Sequence, residues 1–374
     1  MVCAGTKPDI ISFYSHSNAE VTLVKYRKLS LVLLSVLPLA FFSLKQQAQT
    51  APAAPARERL SLDRDWLFHE GDIPFPAITG HQPSYDNAKS GVAWGAAAPD
   101  FDDSTWRSVD LPHDWAVEQP FDENANLSQG YRARGMGWYR KYFRLDPADH
   151  GKHLELQLDG IATHATIWVN GVLAHRNWCG YTSAYIDITP FARYGPDMNT
   201  IAVQVDAVAQ EGWWYEGAGL YRHAWLVKRN PVHIETDGVY ANPVRNPNGQ
   251  WSVPVEVALY SSGKAPATVE VESTLIDPSG KAVVSARTQA TVDPLKEPVA
   301  KLTLAVASPR LWSVDEPALY SVHTVVKQDG ANLDEVTTQC GFRTIRFDPD
   351  KGFFLNDQPV KLKGTANHQD HDHH

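Results

Sequence analysis

The sequence predicts an all-β protein: a jelly-roll β-sandwich followed by an immunoglobulin-like β-sandwich. Three observations carry this expectation. Apolar and polar residues alternate with period two along most of the chain after residue 57. Turn residues break the alternation at short intervals. No long amphipathic helical stripe interrupts it. The chain has 374 residues, enough for two or three domains with cores of their own.

Composition narrows the function classes. Lys and Arg total 34 against 43 Asp and Glu, a net charge of −9, so there is no basic footprint for nucleic acid. Charged residues at 21% and hydrophobic residues at 43% describe a globular chain rather than a disordered one. The aromatic content of 12 Trp, 14 Tyr and 13 Phe points to large β-rich cores or to flat platforms for a ligand. Cys3, Cys179 and Cys340 form no CxxC pair and no metal-ligand spacing. Buried free thiols are therefore expected at Cys179 and Cys340, and no cofactor or metal is expected.

Residues 1–56 read as a signal segment and linker. Lys25, Arg27 and Lys28 precede an apolar run from Leu29 to Leu44, and small residues follow around Ala48 to Ala56. That is the order of a cleavable export signal, which predicts a periplasmic or extracellular protein with no stable membrane insertion after cleavage. The run is shorter than the ~20 residues a spanning helix needs, and Pro38 interrupts it.

Residues 57–229 carry the first sandwich. Leu154, Leu156 and Leu158 face one way, with Glu155, Gln157 and Asp159 opposite them. Ile167 and Val169 lead into Asn170-Gly171 and then Val172, a hairpin signal because both turn residues tolerate positive φ. Ile201, Val203 and Val205 repeat the alternation. One helical turn is expected from Thr189, with Pro190 in the first helical position and Gly195 as the stop. Leu111-Pro112-His113-Asp114-Trp115 reads as a turn packed on the sandwich, and no G-x-S-x-G elbow makes a hydrolase pair of His113-Asp114.

A break at Arg229-Asn230-Pro231 opens residues 230–341, where seven short strand candidates are separated by Asn248-Gly249, Pro278-Ser279-Gly280 and Asp329-Gly330. Seven strands in this length is the immunoglobulin-like pattern, here without its Cys…Trp…Cys signature. From Phe342 the texture changes to one further hairpin, Phe353 to Leu355 and Val360 to Leu362 across Asn356-Asp357.

Three groups of residues carry a family resemblance. The first is Leu111-Pro112-His113-Asp114-Trp115 with Gly137-Trp138-Tyr139-Arg140-Lys141-Tyr142-Phe143 and Ile167-Trp168-Val169-Asn170-Gly171. The second runs from Glu211 through Trp213, Trp214, Tyr215, Glu216, Gly217 and Gly219 to Tyr221-Arg222-His223. The third is Gly341-Phe342-Arg343, Gly352 to Asn356, and Lys363 to His371. In this order they resemble glycoside hydrolase family 2, in particular its β-galactosidase-like members, over roughly residues 58–371.

The resemblance implies a jelly-roll sugar-binding domain, an immunoglobulin-like domain and then a (β/α)8 barrel holding two catalytic glutamates. It makes residues 342–374 the stub of that barrel, a truncated first strand, because a barrel needs ~250 residues. Both catalytic carboxylates are thereby expected beyond the C-terminus. The chain alone is expected to be inactive, a truncated or frameshifted product. The implied activity is hydrolysis of β-linked terminal sugars with retention; the alternative is a stand-alone carbohydrate-binding protein without catalysis.

The expected sugar-binding residues are Trp214, Tyr215, Glu216 and Arg222, with Asn367 and His368 by resemblance. Indole and phenol faces suit the C–H face of a sugar, and Glu216 and Arg222 suit its hydroxyls. The competing reading is that these aromatics pack the sandwich onto its neighbour, and Trp213 is expected to do so. His368 would contact sugar hydroxyls or stabilise an oxocarbenium-like transition state. The tract His368, Asp370, His371, Asp372, His373 and His374 chelates metals adventitiously but lacks a preformed shell.

Overall fold

A computed structural model describes residues 56–91 and 93–366. The segment read as an export signal, Asn367, His368 and the terminal His/Asp tract lie outside the described residues. Among the described residues no helix is long and apolar enough to cross a membrane.

The first sandwich contains strands β1 (Arg57–Ser61), β2 (Trp66–Glu70), β3 (Arg107–Val109), β4 (Met136–Phe143) and β5 (His153–Leu158). It continues with β6 (His164–Val169), β7 (Val172–Asn177), β8 (Ala184–Asp187), β9 (Asn199–Asp206) and β10 (Ala224–Arg229). One sheet has the order β3-β2-β4-β9-β6-β7 and the other β1-β10-β5-β8, and every pairing is antiparallel. Between them lie Trp66, Phe68, Tyr139, Leu154, Leu156, Leu158, Ile201 and Val203, all buried. Burying an aliphatic or aromatic side chain of this kind contributes about 1.5–3 kcal/mol.

The tryptophans have a second use. The outer face of the six-stranded sheet is covered by the long connection between β2 and β3. Trp138 and Trp168 stack there at 5.6 Å, with Phe75 5.8 Å from each and Trp106 in the same cluster. Arg140, fully buried beneath that connection, donates to Asp103 at 2.6 Å and to the carbonyls of Ala96 and Ala98. The same connection holds helix α1 (His81–Ser90), whose polar sequence carries no apolar stripe to announce it. The turn expected from Thr189 forms as a single 3-10 turn over Thr189–Phe191, with Thr189 N donating to the Asp187 carboxylate at 2.9 Å, and it ends before Gly195.

The second sandwich contains β11 (Val232–Ala241), β12 (Val244–Arg245), β13 (Trp251–Ser261), β14 (Ala267–Ile276), β15 (Ala282–Val292), β16 (Val299–Val306), β17 (Tyr320–Gln328) and β18 (Ala331–Cys340). β11, β12 and β16 pair with β13, facing the sheet β15-β14-β17-β18. The core between them is valine- and leucine-rich, with Trp251, Tyr320 and Phe342 at one end. All seven sequence-predicted strands are present, and β12 is added.

The final segment is a small meander, β19 (Ile345–Asp348), β20 (Gly352–Leu355) and β21 (Gln358–Pro359). The expected hairpin forms with its return strand at Gln358–Pro359 rather than at Val360–Leu362, and β19 pairs with β20 as a third strand. Cys340 is buried, but Cys179 is exposed and both thiols are free, which corrects the expectation of two buried thiols.

Candidate sugar-binding site

The Leu-Pro-His-Asp-Trp turn starts the site. Asp114 caps the short helix α2 (Trp115–Glu118) by accepting from Ala116 N at 3.0 Å. The same Oδ1 accepts from Ala218 N at 3.0 Å, and Oδ2 accepts from the Tyr215 hydroxyl at 2.7 Å. One carboxylate therefore fastens a helix start and the 211–220 loop together. Gly217 and Gly219 are required by that closeness. A Cβ on Gly217 would lie 2.8 Å from Asp114 Oδ2, and one on Gly219 2.6 Å from the His113 carbonyl, both at positive φ.

His113 is buried beside this turn. Its Nε2 faces Arg107 Nη2 at 3.0 Å and Glu118 Oε1 at 3.3 Å, and its Nδ1 is hydrogen-bonded with the Tyr139 hydroxyl at 2.6 Å. Burial is the main cause that holds the imidazole below its ordinary range and the Tyr139 phenol above it. His113 and Asp114 are thus packing and fastening groups, as the turn reading expected.

Gln129 and Arg134, which sequence reasoning passed over, fix the other side of the loop. Gln129 is 2% exposed; its amide donates to Trp214 O at 2.9 Å and to Glu216 Oε2 at 3.1 Å, and accepts from Glu216 N at 3.0 Å. Arg134 Nη1 meets Glu216 Oε2 at 3.2 Å, with both side chains buried. Glu211 N also donates to that oxygen. The sequence signal was the pair Arg132 and Arg134 ahead of β4, whose regular spacing gave no hint of a distant carboxylate.

The sequence-predicted site residues divide accordingly. Trp214, Tyr215 and Glu216 share one loop, but Glu216 faces inward, so its carboxylate is engaged by Arg134 and Gln129 rather than presented to hydroxyls. Tyr215 is half-buried; burial, then the Asp114 carboxylate, pushes its phenol above the ordinary range. Trp214 is exposed, and its indole N–H donates to the Tyr181 hydroxyl at 2.7 Å. Arg222 is exposed and lays its stem over Gly160, apart from the loop network. Trp213 reverses its expectation: it is 91% exposed and packs nothing.

Trp213 and Trp214 belong to a larger aromatic surface. Trp178 and Tyr181 are exposed on the β7–β8 loop, and His164 joins the two loops through Nε2 against Glu211 Oε1 at 2.6 Å and an edge contact with Trp178. On the other side of the 211–217 loop is a cavity of about 320 Å³ lined by Asp122, Asn126, Gln129, Arg132, Arg134 and Gln210. It falls at the small end of ligand-site volumes, about 300–1,000 Å³. Aromatic faces beside a polar cleft can take the apolar face and the hydroxyls of a sugar ring. Among the described residues, no three His, Cys, Asp or Glu are grouped to hold a metal.

Comparison with known proteins assigns this architecture. The glycosyl hydrolases family 2 profile matches residues 232–343, and the glycosyl hydrolase 2 galactose-binding domain-like profile matches residues 105–259. The β-galactosidase BoGH2A of Bacteroides ovatus is 35% identical over 317 residues, covering 84% of this chain and 35% of that protein. A solved glycosyl hydrolase family 2 member from Bacteroides cellulosilyticus superimposes with a TM-score of 0.72 at 34% identity, over 82% of this chain and 38% of that one. A Bacteroides uniformis β-glucuronidase gives 0.71 at 28% identity, over 84% and 36%. The chain spans little more than a third of the length of these relatives. With two β domains matched in order by that family's profiles, the chain belongs to glycosyl hydrolase family 2.

Proposed function

We propose that these residues are the sugar-binding and scaffolding part of an exported family 2 glycosidase of β-galactosidase or β-glucuronidase type, acting with retention. Retaining hydrolysis needs an acid and a nucleophile about 5–5.5 Å apart across the glycosidic bond. In the candidate site Glu216 is committed to Arg134 and Glu211 to His164, so the loop end offers contact to a sugar and no free carboxyl pair.

The observation that carries the reading is the open aromatic surface at Trp213 and Trp214, mounted on a loop that Asp114 and Gln129 hold from beneath. Stacking stabilises ground state and transition state alike, so it supplies binding without turnover. The 374-residue chain is expected to bind galactosides or glucuronides weakly in an NMR titration and to hydrolyse neither aryl glycoside. Turnover by the pure chain, or chemical-shift changes that avoid the 211–222 loop, would overturn the proposal.

A further inference from the structure

The two sandwiches meet across the outer face of β5 and the start of β11. Arg229 and Glu155 form a buried ion pair at 2.9 Å, and the Thr236 hydroxyl donates to Glu155 at 2.8 Å. Arg57 binds Asp334 through two nitrogens, at 2.9 and 2.7 Å. Between these pairs lies a different arrangement. His153 of the first sandwich and His233 of the second face each other with ring centroids 4.6 Å apart, 6% and 0% exposed. Tyr260 closes a third side at 5.7 and 5.5 Å.

Neither ring is satisfied as a cation. His233 donates Nδ1–H to the Asn230 carbonyl at 2.9 Å, which leaves Nε2 as a bare lone pair with no partner. His153 Nδ1 also has no hydrogen-bond partner, and the nearest carboxylate, Asp187 on β8, stands 3.9 Å away. The other charged groups facing the rings are already engaged: Glu155 with Arg229, and Arg57 with Asp334. Glu235 and Glu297 lie towards Tyr260. A neutral buried ring tolerates this, but a proton added there would find no acceptor.

We propose that the His153–His233 pair is an acid-sensitive catch: taking up a proton parts the joint between the sandwiches while each keeps its own core. Burial, then the neighbouring His153 and Arg229, holds the His233 imidazole down to about 3, and burial lowers His153 as well. A solvated histidine titrates near 6.5. The opened form therefore binds more protons below about pH 6.5. Opening gains up to about tenfold per pH unit for each proton, and the gain stops below the closed-state value. Glu235 acts in the opposite sense, since burial and Glu297 raise its carboxyl and acid favours the closed form through it. Glu155 does not titrate in this range: burial raises its carboxyl, but the Arg229 guanidinium outweighs that and holds it below the usual range.

The test is hydrogen exchange on the whole 374-residue chain between pH 7.5 and 5.0, corrected for the intrinsic exchange rate. Peptides covering 229–236 and 330–336 report the joint, and β9 and β14 report the two cores. Joint opening is expected to rise severalfold per pH unit below pH 6.5, up to about tenfold for each proton taken up, with β9 and β14 unchanged. His233→Asn can keep the bond to Asn230 and does not titrate; it should reduce the slope, as should His153→Phe, while Glu235→Gln should steepen it. If one histidine variant fails to fold, the other decides. A flat wild-type profile, loss of core protection together with the joint, or an unchanged slope in a folded histidine variant would overturn the proposal.

Discussion

At the joint, Glu155 is enclosed by Arg229, Gln157 and Thr236; at the loop end of the same sandwich, Trp213 stands 91% exposed with nothing against it. The joint buries polar groups: Glu155 is fully partnered, while Arg229 Nε, His153 Nδ1 and His233 Nε2 are left without partners. The loop end uses a polar underlayer of Asp114, Gln129, Arg134 and Glu216 to hold up apolar faces that are left open. The difference separates residues whose loss harms folding from residues whose loss harms only recognition. A charge with a full set of buried partners belongs to the first kind, and an unpartnered indole on a fastened loop belongs to the second.

The comparison is strained hardest at Glu155. Removing one member of a buried pair leaves the other uncompensated, so Glu155→Ala should destabilise the chain by about 3–5 kcal/mol in a denaturant titration. The contribution also has a pH signature. Because Arg229 keeps the Glu155 carboxyl below its usual range, its stabilisation is present above the ordinary glutamate value of about 4.3 and is lost as pH falls through the lower folded value. The gap between wild type and Glu155→Gln should therefore close in acid. A gap that stays constant from pH 7 to 3 would show the pair to be unimportant.

Asp114 tests the underlayer. Asp114→Ala removes a helix cap worth about 1 kcal/mol and the charged acceptor of the Tyr215 hydroxyl, worth about 1.5–3 kcal/mol. The expected loss is about 2–3 kcal/mol, with faster exchange confined to 113–118 and 211–220. Exchange that quickens equally throughout the first sandwich would mean the loop is not separately fastened.

How much of this was legible before the structure depends on the range of the interaction. Local patterns were: period-two alternation gave the strands of both sandwiches, and Asn170-Gly171 gave the β6–β7 hairpin. The aromatic loop was visible as residues, but its orientation was not. Glu216 beside two glycines looks like a free carboxylate until Gln129 and Arg134, more than 80 residues away, are brought to it. Glu155 and Gln157 read as the polar face of a half-buried strand, yet both are buried, with Thr236 of β11 and the Gln157 amide both against Glu155. The His153–His233 pair joins two domains and leaves no mark in either local pattern. Trp213 was misjudged because tryptophan is usually buried, whereas both adjacent indoles, Trp213 and Trp214, face out.

The smallest expected effect on stability, and the sharpest on recognition, is at the indoles. An exposed side chain with no partners contributes little to folding, so Trp213→Ala should leave stability within about 0.5 kcal/mol of wild type. Trp214→Ala also gives up the bond to Tyr181, a neutral and solvent-exposed one, and should cost about 1 kcal/mol or less. If these faces carry the sugar, each substitution should weaken glycoside binding severalfold in the NMR titration, while Trp138, buried under the β2–β3 connection, should show no ligand-induced shift. Phenylalanine at 214 should recover part of the loss, since it restores a flat face without the indole N–H. Full binding by a folded Trp213→Ala, Trp214→Ala double variant would move the site away from the aromatic surface, towards the polar cavity beside Gln129 and Arg132.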